Sequence, residues 1–260
     1  MEGDDVTRGV TNHLAAVRTW AVNWLAGQDA AAAAACLDAN YELQIGPFTL
    51  GPRSAYIEAT LGQLERYPGL GVTVHDILTD GQHTVVRLSE HGPSTRHDGA
   101  VASWRVVAVF EHAEDRIVRG WAEEDYWARR RQLTADLADP IDPPAAAPWS
   151  TTAQEPEPGV ADAVRQWVAA GAPALPGLLR DDEDLVDSYE LPFEASSGSI
   201  DVLVVSGRKA GFHAVIEGSV GDTPLRLPVA GLVTVAADGK LTGHLVTDRL
   251  GLPKTETTAG

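Results

Sequence analysis

Leu14, Val17, Ala21, Trp24 and Leu25 recur at three- and four-residue intervals. That is the spacing of one helical face, and it predicts an amphipathic helix stopping near Gly27. The alanine run 30–36 predicts a second, short helix. YELQI, from Tyr41, alternates apolar and polar residues as a strand does. Gly51-Pro52 opens a further helix, PRSAYIEATLGQL, with proline in the first turn, where its missing N–H costs nothing. Strand-like runs follow: VTVHDIL, HTVVRLSE, AVASWRVVAVFEH and RIVRGWAEEDYW, with DG, HGP, HDG and AED as turns. Helix, helix, strand, helix and a strand meander predict an α+β unit with helices on one face of a curved antiparallel sheet.

The pattern then breaks. Residues 134–159 hold six prolines and few large apolar side chains, which predicts a linker. It divides the chain into a domain over 1–133 and a second over 160–260. The second repeats parts of the first. AVRQW (Ala163–Trp167) repeats AVRTW (Ala16–Trp20), and SYELPF repeats NYELQI around Tyr189 and Tyr41. GHLVTD (Gly243–Asp248) repeats GWAEED (Gly120–Asp125). The offsets are 147 and 148 for the first two and 123 for the last. Three matches in one order predict an internal duplication whose second copy has lost about 25 residues. The first copy holds its 52–64 helix in that stretch, so the second copy is expected to be structural.

Composition narrows the function. A formal charge of −17 argues against nucleic acid or an anionic membrane surface as partner. One cysteine, Cys36, excludes an intrachain disulfide and a cysteine-built zinc site. No run reaches the roughly 18 apolar residues of a membrane span, and the acidic start MEGDD is not a signal peptide. A cytoplasmic location is expected. His75, His91, His97 and His112 show no metal-binding spacing, so no metal is expected. No phosphate loop, dinucleotide fingerprint or G-x-S-x-G elbow occurs, so no cofactor is expected either.

Ala26, Gly27 and Asp29 end the first helix as AG-x-D, Gly51 to Ala55 open another, and VFEHAEDRIVRGWAEEDYW closes the meander. These pieces resemble the nuclear-transport-factor-2-like superfamily, which includes SnoaL-like polyketide cyclases, ketosteroid isomerases and limonene-epoxide-hydrolase-like enzymes. The resemblance implies two tandem cone-shaped domains, each with a sheet curled around an apolar pocket. It also implies that the two pack sheet to sheet as an intrachain pseudo-dimer, leaving further homodimerisation open.

The resemblance places Asp125, closing G-W-x-x-x-D, at the acid/base position of the SnoaL-like cyclases. Trp121, Glu123 and Asp125 share a strand face, so Glu123 is a partner candidate that could share a proton. Glu42 stands near the isomerases' base. Alternation puts Glu42 and Gln44 on one face and Tyr41, Leu43 and Ile45 on the other, so Glu42 reaches the pocket only if its own face does. Trp20 stands where the isomerases carry a tyrosine donor, and Val106 where they carry an oxyanion aspartate. Arg87 and Glu90 occupy roughly the strand of the epoxide hydrolases' charged residues, without their R-x-D pattern. Trp20, Tyr56, Trp104 and Trp121 are expected to shape the pocket. Tyr189, Glu190, His244 and Asp248 are the corresponding residues of the second copy.

These readings lead to a cofactor-independent acid–base enzyme acting on a hydrophobic, polyketide-like small molecule by cyclisation, isomerisation, dehydration or epoxide opening. The alternative is a non-catalytic carrier or scaffold using the same fold. A carboxylate facing an apolar cavity separates the two.

Overall fold

The computed structural model describes Gly9 and residues 12–172 and 193–248. Its first helix, α1, covers 12–26; the second half, Thr19–Ala26, is π-helical. Trp20 and Trp24 lie close to one turn apart in this wider helix, and both indoles are buried. Then come α2 (Ala30–Cys36), β1 (Leu37–Ile45), β2 (Phe48–Leu50), α3 (Arg53–Leu64), β3 (Gly71–Thr79), β4 (His83–Pro93), β5 (Val101–Ala113), β6 (Arg116–Glu124) and α4 (Tyr126–Ala135). After a single 3-10 turn at Pro148–Ser150 come α5 (Val160–Ala169), β7 (Glu194–Ser206), β8 (Lys209–Val220), β9 (Thr223–Val235) and β10 (Leu241–Val246).

Local chemistry explains the boundaries. Asp29 caps α2 by accepting from the Ala31 N–H at 2.9 Å. At the other end of α2, Arg53 and Arg116 donate to the carbonyls of Ala34, Ala35 and Leu37, which α2 leaves unpaired. The strand expected to run through Trp127 stops at Glu124. Asp125 turns the chain there and accepts from the Ala128 N–H at 3.0 Å, which starts α4.

The first sheet has the order β2-β1-β6-β5-β4-β3, and the second β10-β9-β8-β7. Both sheets are open, with unpaired strands at their edges, so the expectation of two cone-shaped domains is corrected. The first sheet is also mixed, because β1 runs parallel to β6. The two halves are unequal, six strands against four, and do not form a matched pair of cones. The segment after α4 covers β3 instead of closing the sheet: the Ala145 N–H donates to the Val74 carbonyl, and Asp142 pairs with Arg87 at 2.6 Å.

Three apolar clusters follow from these two sheets. One fills the space between the first sheet and α1, α2 and α3, with Trp24, Tyr41, Leu88, Trp104 and Phe110 at its centre. A second lies between the other sheet and α5, where Val160, Val164 and Val168 recur at helical spacing. The third joins the sheets face to face through Leu78, Val85, Val107, Val109, Val204, Ala230, Leu232 and Val246. Gly211 of β8 sits at this contact, and a Cβ there would lie 2.5 Å from Val85 Cγ2. No helix among the described residues is long and apolar enough to cross a membrane.

Candidate active site

The pleat decides which carboxylates meet. On β4, Val86, Leu88 and Glu90 point to the helix-covered face, while Val85 and Arg87 point to the other sheet. On β6, Ala122 and Glu124 take the helix-covered face, and Trp121 and Glu123 take the opposite one. β5 lies between: Trp104 pairs across from Glu90, and Val106 pairs across from Glu124. The two carboxyl groups therefore approach each other over the Trp104 side chain.

Both Glu90 and Glu124 line a cavity of about 80 Å³ closed by Trp20, Leu25, Tyr56, Gln63 and Tyr126 among others. The Trp104 indole N–H donates to Glu124 Oε2 at 3.0 Å, and Gln63 Nε2 donates to Glu90 Oε2 at 3.2 Å. The Tyr126 phenol also hydrogen-bonds Glu124. Burial lifts the Glu90 carboxyl well above its usual range, and the neighbouring Glu124 charge lifts it further. Burial also lifts Glu124, against the attraction of the Arg129 guanidinium. Arg129 is held among aromatic rings, 4.2 Å from the Tyr126 centroid, 4.9 Å from Trp104 and 5.3 Å from Tyr67. One cation thus faces two carboxyls, an arrangement that favours a single proton shared by the pair.

Opposite the carboxyls is Tyr56. Its hydroxyl oxygen accepts from Trp20 Nε1 at 2.9 Å and Trp24 Nε1 at 3.3 Å. Two indoles occupy its acceptor positions, so its own O–H remains to donate, with the Thr60 hydroxyl also within hydrogen-bonding reach. Burial pushes the phenol up to about 12, which keeps that proton in place at neutral pH.

Residues 17–120 match the family model described as SnoaL-like domain. The first part of the chain has a SnoaL-like fold. Similar solved structures include a candidate SnoaL-like polyketide cyclase from Jannaschia sp. CCS1, 16% identical, with 48% of this chain and 93% of that one covered and a TM-score of 0.45. TsrD from Streptomyces laurentii is 18% identical, with 46% and 92% covered and a TM-score of 0.42. An LEH-like epoxide hydrolase of M. tuberculosis is 19% identical, with 48% and 92% covered and a TM-score of 0.42. No curated protein sequence matches the chain.

In this SnoaL-like part the residues named from sequence go to different places. Trp20 and Tyr56 line the cavity, and Trp104 holds one of its carboxylates. Asp125 is buried at the start of α4, 3.9 Å from Arg105. Glu123 is buried against the second sheet, where its Oε1 accepts from the Gly46 N–H and meets His213 Nε2 at 3.2 Å. Glu42 is exposed on β1. Trp121 borders the contact between the sheets, with Arg119 5.1 Å from its ring centroid. In the second half, His244 of β10 is partly buried and held below its usual range by burial and by Arg87. Asp248 lies just beyond β10, and Tyr189 and Glu190 fall outside the described residues.

Glu124, Gln63 and Tyr126 were not singled out by sequence. One signal was available for Glu124: it shares strand parity with Ala122, the small apolar residue of AEED, whereas Glu123 and Asp125 share parity with Trp121. Among the described residues no group of three or more His, Cys, Asp or Glu is placed to hold a metal ion.

Proposed function

We propose that the SnoaL-like part is a cofactor-independent acid–base catalyst for a small apolar molecule with one polar handle. The observation that carries this reading is the convergence of Glu90 and Glu124 in one apolar cavity with a single compensating cation, Arg129. Glu124, nearer neutralisation by Arg129 and held by the Trp104 N–H, is the base. Glu90, lifted by burial and by its neighbour's charge, keeps the proton and is the acid. Tyr56 donates to an oxygen of the substrate.

Two reactions use this set. In an isomerisation or a dehydration, Glu124 takes a proton alpha to a carbonyl while Tyr56 steadies the developing oxyanion; in the isomerisation Glu124 returns that proton at another carbon of the enolate, and in the dehydration the C–O bond breaks and Glu90 protonates the departing hydroxyl, which leaves as water. In an epoxide opening, Glu124 takes a proton from water as the water attacks carbon, and Glu90 gives its proton to the departing oxygen. Cyclisation follows the first scheme, with the carbanion attacking within the same molecule.

The cavity size limits the substrate. At ~10–15 Å³ per water-sized position, 80 Å³ admits only a few atoms. Ligand pockets usually reach about 300–1,000 Å³. A polyketide-sized molecule therefore requires the cavity to widen. The same small volume favours the second reading, a protein whose cavity is only part of its core. We further infer that the second half is a structural partner to the first.

The test is a panel of small epoxides and ketones, followed by diol formation and by exchange of alpha protons in D2O. Turnover that disappears in Glu124→Gln with folding intact supports the catalyst. Equal turnover in that variant, or none with any compound, favours the carrier or scaffold.

A further inference from the structure

Outside the cavity, the most demanding arrangement of titratable groups lies between the two sheets. His213 of β8 is 1% exposed, and both of its ring nitrogens meet carboxylates. Nδ1 is 2.7 Å from Asp201 Oδ2 on β7, and Nε2 is 3.2 Å from Glu123 Oε1 on β6 of the other sheet. A neutral imidazole has one N–H and one lone pair. It can donate to one of these carboxylates, and it then turns its lone pair on the other. Only the imidazolium donates to both.

Among the described residues, Glu123 and Asp201 are the charged groups set against His213. Opposite it on β9 is Ala230, the apolar seam beside it is aliphatic apart from Trp121, and a second ion pair joining the sheets, Lys209 with Asp76, involves neither Glu123 nor Asp201. Gly46 adds a neutral N–H to Glu123. Asp201 is the solvent end of the chain of contacts, with its side chain 40% exposed beside a groove that Arg165 also lines. A proton can therefore enter or leave at Asp201, while Glu123 at the inner end is sealed.

We propose that His213 is a proton-operated latch: charged, it ties Glu123 of the first sheet to Asp201 of the second, and on losing its proton it loosens the packing of the two sheets. Burial works against the charged form, but the two carboxylates outweigh it and raise the pKa of His213 above 6.5. With the packed-state value raised, the stabilisation is complete below 6.5 and is lost as pH rises through that value. Four histidines elsewhere behave in the opposite sense. His75, His91, His112 and His244 are all lowered, so their effects fall below 6.5. His83 is raised by its hydrogen bond to Asp80 and Glu90 is raised by burial, so the difference between wild type and His213→Gln is what isolates the latch.

The decisive measurement is the protonation of His213 by 15N NMR of the intact chain between pH 6 and 9. Two protonated ring nitrogens at pH 6.5, released only at higher pH, are expected. A neutral His213 at pH 6.5 overturns the latch. Urea unfolding of wild type and His213→Gln supplies the second arm. The ratio of their unfolding constants is expected to change by about tenfold per pH unit between 6.5 and the His213 midpoint. A ratio that does not vary with pH also overturns the proposal. Should His213→Gln fail to fold, Asp201→Asn replaces it at the exposed end. It is expected to move the His213 midpoint down, and an unmoved midpoint counts against the latch.

Discussion

Glu123 and Glu124 are neighbours in sequence and face opposite sides of the same sheet. Glu123 meets His213 of the second sheet at 3.2 Å, and Glu124 accepts the Trp104 N–H in the cavity at 3.0 Å. Similar side chains in consecutive positions thus have separable roles. Glu124→Gln is expected to lower turnover by about 10²–10⁴-fold, the usual worth of a positioned acid or base. Glu123→Gln is expected to keep turnover within a few-fold and to lower the urea midpoint instead. Initial rates and unfolding curves on the two purified variants check both halves; interchanged effects count against the assignment.

The Glu90 carboxyl makes the cavity a pH-dependent weakness. Its folded-state pKa is raised, so the folded protein holds a proton that the unfolded chain gives up near the ordinary value of 4.5. Stability from this group is complete below 4.5 and declines as pH rises through the raised value. Glu90→Gln is expected to remove that decline and to add about 1–3 kcal/mol at pH 7, because the amide needs no proton taken up on folding and can still accept from Gln63. Thermal melts of both proteins from pH 5 to 8 test this. Asp80 and Asp142 do not interfere, since both are lowered from 3.8 and lose their contribution only in more acidic solution.

What the sequence showed and what it hid separate along one line. Periodicity located the helix around Trp20 and Trp24, the alanine helix ending at Cys36 and the helix after Pro52, because each depends on local spacing and local caps. It located the meander strands for the same reason. It did not show that β1 joins the sheet parallel to β6, which depends on the long-range pairing of Leu43 with Gly120. Nor did it show which face of β6 is covered by helices. Glu123 and Glu124 look equivalent until the pleat is placed, and a shift of one residue exchanges them. The cone was expected from a resemblance to a family. In the structure the second sheet covers the face of the first through Val85, Val107 and Val109, and the sheets remain open.

Asp125, the acid that sequence favoured for chemistry, is bonded as a helix cap. Asp125→Ala is expected to cost about 0.5–2 kcal/mol, the usual loss for an N-cap. Arg129 stands in the first turn of α4, so fraying there also loosens the guanidinium from its aromatic neighbours. Asp125→Ser or Asp125→Asn, which can still accept from the Ala128 N–H, should restore most of the urea midpoint. A loss of the same size in all three variants would point to a role other than capping.

Gly211 sets how closely the two sheets pack. A Cβ at this position would lie 2.5, 2.6 and 2.8 Å from Val85 Cγ2, Cγ1 and Cβ, inside any real contact distance. Val85 cannot simply swing away, because β-branched side chains are stiff at χ1 and Val85 is fully buried. Gly211→Ala is therefore expected to destabilise the packed sheets by about 1–3 kcal/mol, the range for an overpacked core. Val85→Ala alone should also destabilise, by leaving a void on the opposite side. Combined, the methyl gained at position 211 fills part of the space left by the two methyls lost at position 85, and part of both losses should be recovered, an interaction of about 0.5–3 kcal/mol in a double-mutant cycle. Strict additivity in urea unfolding would mean that the sheets do not meet at Gly211 in solution.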